Sequence, residues 1–404
     1  MKRGVQLLST KQILLTILVG IIPLVILYMP KATPIICVLL TGTMFLYPRN
    51  PHHLTISPLS MLGIASIGYV GATYLWSINT EYAGQTILQL MGTGLLTVWT
   101  TILVAQQPAH TINLHTLRWF KVALIIASIF VFIDVYTHGF FWNYLKKSLY
   151  VNTSFNKTLA ITIILSSVFI SPIFYPKEHK ERTNDIFIII WFVTLLCATY
   201  MSESDAAKLA LGVGIISVFL EKRISHFYAF ARYGFVLYVC CVPLLFYAVL
   251  TPENIRYFES FLGQSSMHRL HSWAHFNTFI SQRPLIGWGI GSTLTQPLQG
   301  NVVLFQKFIT ETSTYPHNFA QQVWIEGGFI GAFLTAGFGW LTNKRITQLP
   351  NTIRKNFLFL WVFTVVILSF GISIWHYWYW CTIIIATTLS KLALANPHTT
   401  THDP

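Results

Sequence analysis

The chain has 404 residues, of which 53% are hydrophobic and only 10% charged, with mean hydropathy +0.57, whereas soluble domains carry about 25% charged residues. This excludes an ordinary water-soluble enzyme and an intrinsically disordered chain. The net charge of +13 is spread in short clusters between apolar runs, a pattern that reports membrane orientation and not nucleic acid.

Apolar runs cover 13–28, 35–47, 59–78, 83–105, 119–136, 159–175, 186–200, 206–220, 231–250, 319–341, 357–374 and 377–394. They are continuous, so an outer-membrane barrel, whose strands alternate, is excluded. A helical crossing takes roughly 20 apolar residues, and the runs predict an all-α integral membrane protein with about 12 transmembrane helices. Lys2, Arg3 and Lys11 precede the first run without a cleavage site after it, so it reads as a spanning helix and not a removed signal peptide. The expected organisation is helices one to nine in 1–250, one large external loop in 251–316, helices ten to twelve in 317–395, and a polar tail in 396–404. Alternate threading collects Arg118, Lys121, Lys222, Arg223, Lys344, Arg345, Arg354 and Lys391 on the side of both termini. By the positive-inside rule that side is cytoplasmic, and the lipid bilayer is the first expected partner.

Loops beyond about 15 residues are uncommon and usually functional. The loop 251–316 carries Arg256, His268, Arg269, His271, His275 and Arg283, an amphipathic stretch at 267–280, and the Gly-rich turn PLIGWGIGS at 284–292. Cationic donors of this kind suit phosphate, because the arginine fork binds its oxygens bidentately. Few ionisable residues fall within or at the rim of the helices: Asp134, Glu203, Asp205, Lys208, His317, Glu326 and His376. Each costs about 2.5–3.5 kcal/mol at a helix centre, and most fall on the external half, so an outward-facing site is expected. His268, His271 and His275 have helical spacing, but no HExxH and no nearby cysteine joins them, so no metal and no cofactor is expected. Cys37, Cys197, Cys240, Cys241 and Cys381 lie in apolar runs and read as small core hydrophobes. The GxS string Gly263–Ser265 lies in the loop and not in a membrane helix, which disfavours an intramembrane protease. Asp134 is a candidate partner for a cation in the same cavity, and Trp375, Trp378 and Trp380 read as an interfacial aromatic belt.

The string HNFAQQVWIEGGFIG at 317–331, with RLHSW at 269–273 and PLIGWGIGS, resembles the bacterial O-antigen ligase family, whose superfamily also holds O-antigen polymerases. The resemblance implies an inverting, metal-independent glycosyl transfer at the periplasmic face of the inner membrane. The implied donor is a glycan on undecaprenyl diphosphate and the implied acceptor is lipid A-core. It implies His317 as base or transition-state partner and Arg269 as diphosphate ligand, with Arg256, Lys208, Asp205, His271, Asn318 and Glu326 in substrate binding. Where family members carry Ser-Arg-Gly-Ala, this chain reads Ser204-Asp205-Ala206-Ala207. The arginine is replaced by Asp205, and Lys208 one turn on is the candidate substitute cation. A polymerase is the alternative within the superfamily, and a transporter the alternative from another class, although no duplicated half supports it.

Overall fold

The computed structural model describes residues 9–47, 57–107, 112, 114–146, 152–170, 185–262, 264–294 and 315–394. Among them the chain is helical without strands: α1 (Thr10–Tyr28), α2 (Thr33–Met44), α3 (Pro58–Ala72), α4 (Thr80–Gln106), α5 (Leu114–Tyr136), α6 (Phe140–Lys146), α7 (Asn152–Ser166), α8 (Asp185–Met201), α9 (Asp205–Arg223), α10 (Phe227–Val249), α11 (Pro252–Glu259), α12 (Gln264–Gln282), α13 (Phe319–Thr347), α14 (Asn351–Phe370) and α15 (Tyr377–Leu394). Each of the twelve apolar runs falls on one of these helices. Among the described residues six stretches are long and apolar enough to cross a membrane: Thr10–Tyr28, Pro58–Trp76, Thr80–Gln106, His115–Tyr136, Phe227–Val249 and Ile353–Phe370. Lys2, Arg3, the expected cytoplasmic tail and residues 295–314 of the long loop lie outside the described residues.

Local chemistry explains the helix starts. Ser9 and Gln12 form a capping box on α1, and Ser57, Asn79, Ser204, Thr251 and Asn318 each accept a hydrogen bond from a first-turn amide of the helix that follows. The interior is built on α7, where Leu159, Ala160, Ile161, Ile163, Ile164 and Leu165 are all buried, so a helix apolar all round is enclosed by protein. Leu75 (84% exposed), Leu88 (73%) and Leu95 (69%) face outward from the 58–106 segment. Apolar surface of that extent is stable against lipid and not against water, and the protein is a membrane protein.

Two features bring the later helices together. Pro243 lies inside α10 and has no N–H, which frees the carbonyl of Val239. The indole of Trp324 on α13 donates to that carbonyl at 2.8 Å. Asn277 of α12 donates to the Pro243 carbonyl at 3.1 Å, so one proline ties α10, α12 and α13 at a common level.

Two expectations are corrected. Asp134 meets no cation among its hydrogen-bond partners: it accepts from the Tyr28 hydroxyl at 2.8 Å and from the amides of Phe141 at 2.6 Å and Trp142 at 3.3 Å. It caps the short α6, whose first amides have no helical acceptor. The tryptophans at 375–380 form no outward belt, because each is drawn inward by an internal contact. Trp378 is 5% exposed, Trp375 donates to Glu326, and Trp380 donates to the Ile374 carbonyl at 2.7 Å.

Candidate active site

His317 and Asn318 divide two tasks. Asn318 is the N-cap of α13: its Oδ1 accepts from the Gln321 amide at 3.0 Å while its Nδ2 donates to the Tyr238 hydroxyl at 2.9 Å. Both ends of the amide are occupied, so Asn318, expected to bind substrate, anchors the helix instead. His317 stands just before that cap with φ +52°, a left-handed conformation that is uncommon for a residue with a Cβ and clusters at functional sites. Its Nδ1 lies 3.3 Å from the carbonyl oxygen of Gly371. A carbonyl only accepts, so Nδ1 carries the proton in this hydrogen bond, which makes Nε2 the basic nitrogen of the neutral ring.

Around His317 the rings are arranged in series. Tyr315 lies 4.4 Å from His317 and 6.0 Å from His376, centroid to centroid, and His376 stacks on Trp378 at 5.7 Å. Burial, with Lys157 nearby, lowers the His376 imidazole to about 4, so it is neutral at physiological pH. Burial also pushes the Tyr315 phenol up to about 12, opposed by the charge of Arg269. Arg269 is partly enclosed, which disfavours its charge, and Asp205 and Tyr315 both favour it. Arg269 therefore links the start of α9 to the Tyr315–His317 pair.

Lys208 pairs with Asp205 at 3.5 Å across one turn of α9, at 37% and 65% side-chain exposure. Exposed pairs of this kind contribute little to stability. A groove of about 430 Å³, lined by Asp205, Lys208, Leu209, Gly212, Val213 and Ile216, runs along the same helix. It is charged near the N-terminus of α9, at Asp205 and Lys208, and apolar toward Ile216.

Glu326 is 2% exposed. Its Oε1 accepts from Thr293 Oγ1 at 3.0 Å and Gln322 Nε2 at 3.2 Å, and its Oε2 accepts from the Trp375 indole. Expected among the substrate ligands, it is enclosed by protein donors. The helix carrying it is broken at Gly328, with φ +60° and ψ −158°, and the Gly-rich turn fills the break. Phe329 and Ile330 donate to the carbonyls of Pro284 and Leu285 at 2.8 and 3.3 Å, while Trp288 and Gly289 donate to those of Ile325 and Glu326 at 2.7 and 3.0 Å. A Cβ at Gly328 would stand 2.4 Å from the Leu285 carbonyl, so only glycine fits. A break in a helix is tolerated where another segment supplies hydrogen-bond partners for the freed backbone groups, as here.

The remaining candidates are scattered. Arg256 is exposed on α11, where Glu253 one turn earlier senses its charge. His271 is partly buried on α12. His275 packs its ring edge-on against Phe279 at 5.0 Å, and burial lowers its pKa, an apolar setting for a member of the loop's cationic cluster. Gly263 and the side chains of Gln264, Ser265 and His268 lie outside the described residues. Tyr315 and Gly371 neighbour His317, Tyr82 acts on Tyr315 and Lys157 on His376 through charge, and no sequence motif marked any of the four. Tyr315 alone left a trace, standing two residues before His317 just outside the quoted string.

Residues 190–336 match the family model described as O-Antigen ligase. Over that segment the chain is similar to the O-antigen ligase family. A protein of Rickettsia prowazekii (strain Madrid E) named as a polysaccharide ligase is 23% identical over 282 residues, covering 67% of this chain and 65% of that protein. A second, of Rickettsia conorii (strain ATCC VR-613 / Malish 7) and likewise named, is 23% identical over 286 residues, covering 67% and 64%. The matched region thus spans just under two thirds of the length of each relative. The O-antigen ligase segment contains the start of α9, all of α12, the Gly-rich turn, His317 and the break at Gly328.

Proposed function

We propose that the protein moves a glycan from undecaprenyl diphosphate to a sugar hydroxyl of lipid A-core at the periplasmic face of the bacterial inner membrane. The carrying observation is that His317, oriented by the Gly371 carbonyl, shares Tyr315 as a neighbour with Arg269. The diphosphate sits at Arg269 and Lys208, with its polyprenyl chain along the apolar length of the α9 groove. The acceptor hydroxyl oxygen attacks the anomeric carbon from the face opposite the diphosphate, so the new glycosidic bond forms with inversion as the old carbon–oxygen bond breaks. Nε2 of His317 takes the hydroxyl proton. The bonding pair leaves with the diphosphate, whose growing charge Arg269 and Lys208 stabilise, the arginine as a fork and the lysine as a point charge. No metal or cofactor enters this reading. The names of the two rickettsial relatives agree with a polysaccharide as the transferred group.

The twelve-crossing topology, with both termini cytoplasmic, belongs to the same proposal and rests on the distribution of basic residues. The test is the lipopolysaccharide profile of a strain lacking the gene, complemented with the wild-type chain or with His317→Ala, together with the pool of undecaprenyl-linked glycan. A lost ladder with long lipid-linked chains accumulating in both the null and the His317→Ala strain supports the ligase. Core capped by a single repeat unit would assign polymerase activity instead, and an unchanged profile would overturn the proposal.

A further inference from the structure

From the network around Glu326 we infer that this residue is a positioning residue: it aims the His317 imidazole without touching substrate, acting through the turn between α14 and α15. The inference rests on the reading of His317 as the base.

The route is continuous. One carboxylate collects donors from three parts of the chain: Thr293 at the end of the Gly-rich turn, Gln322 on its own helix, and Trp375 in the turn 371–376. The same turn is held a second time, because Ser373 Oγ donates to Gln322 Oε1 at 3.1 Å and accepts from the Trp375 amide at 3.3 Å. Two residues before Ser373 stands Gly371, whose carbonyl faces His317 Nδ1 at 3.3 Å. Glu326 thus governs the height and tilt of the carbonyl that selects the imidazole tautomer.

The chemistry requires a carboxylate at this position. The three donors are a hydroxyl, an amide and an indole N–H, so the group facing them must accept at both oxygens. Glutamine is nearly isosteric but places an NH2 against one donor, and an unmatched buried donor is costly. A displacement of about 1 Å in a reacting group lowers turnover by about 10²-fold, so a small movement of the turn is enough.

The test uses the full-length protein in detergent, a lipid-linked glycan donor and a lipid A-core acceptor. For Glu326→Gln we expect kcat to fall by about 10²-fold with the donor KM within about twofold of wild type, because the diphosphate ligands are unmoved. Trp375→Phe, which deletes one donor and keeps an aromatic ring, shows the same split more mildly. In a His317→Ala background, Glu326→Gln costs nothing further, because its route to the reaction has already been removed.

A raised donor KM with normal kcat would mean that Glu326 contacts substrate, and independent losses in the double variant would mean that it acts elsewhere. Either result overturns the inference, as does wild-type kcat in both single variants. If Glu326→Gln does not yield folded protein, Trp375→Phe and its combination with His317→Ala decide alone. Full activity of His317→Ala by itself would sink the base reading, which is a different failure from an inactive His317→Ala beside fully active Glu326→Gln and Trp375→Phe.

Discussion

The His317 imidazole is oriented by the carbonyl of Gly371, 3.3 Å from Nδ1, although 54 residues separate them in sequence. The two meet because α13 begins where α14 ends, and the cap that starts α13 sets the distance. Asn318→Ala removes the cap, at about 1 kcal/mol, and strips Tyr238 of its donor, at about 1 kcal/mol more. The expected outcome is a lower unfolding temperature in detergent and slower glycan transfer, with Asn318→Asp, which keeps the cap acceptor, between alanine and wild type. Unchanged stability in the alanine variant would show that the cap contributes nothing.

Arg269 is the partly enclosed cation between Asp205 and Tyr315, whereas Lys208 is the more open one. Charge-assisted hydrogen bonds are worth about 1.5–3 kcal/mol, so Arg269→Ala lowers kcat/KM for the lipid-linked donor by roughly 10–100-fold. Arg269→Lys recovers only part of this, since a point charge does not replace a fork. Lys208→Ala impairs transfer less, and Lys208→Arg retains it. Steady-state kinetics with varied donor decide, and full activity in Lys208→Ala would remove that residue from the site.

His376 carries a pH prediction. Its folded pKa is lowered from 6.5 to about 4, so between those values the unfolded chain binds a proton that the folded chain refuses. Stability therefore declines as pH falls from about 6.5 toward 4. His376→Gln, which has no charge to gain, flattens this part of the profile of unfolding temperature against pH. A slope equal to wild type in the variant would place the acid sensitivity elsewhere.

Gly328 cannot accept a side chain. A non-glycine residue in that backbone region costs on the order of 1–3 kcal/mol, and the Cβ would collide with the Leu285 carbonyl at 2.4 Å. Gly328→Ala is expected to lower the yield of monodisperse protein and its unfolding temperature by several degrees, about what 1–3 kcal/mol produces. A variant with wild-type stability would show that the Gly-rich turn is not lodged in the helix break.

The amphipathic stretch expected at 267–280 is helix α12, and the electrostatic coupling of Arg269 to both Asp205 and Tyr315 relates two stretches that charge placement had singled out separately. The cap formed by Asn318 and the donors gathered by Glu326 were not legible in sequence for one reason. Both are polar residues beside a suspected catalytic histidine, and residue type alone does not tell a helix cap or a buried acceptor from a substrate ligand. Tyr315, Lys157 and Gly371 had no motif to mark them, because an aromatic ring, a lone lysine and a turn glycine are common in any membrane protein.

Hydropathy, helix caps and the 317–331 string are properties of short consecutive stretches, and they determined the helical class, the helix positions and the resemblance to the O-antigen ligase family. A backbone in lipid must satisfy its own hydrogen bonds within each segment, so those elements are legible one at a time. The break of α13 at Gly328, the seating of the Gly-rich turn in it and the convergence of Thr293, Gln322 and Trp375 on one carboxylate were decided only by the tertiary structure. Each joins groups whose chemistry is incomplete alone and is matched by a donor or acceptor from a distant segment, a pairing that no periodicity along the chain records.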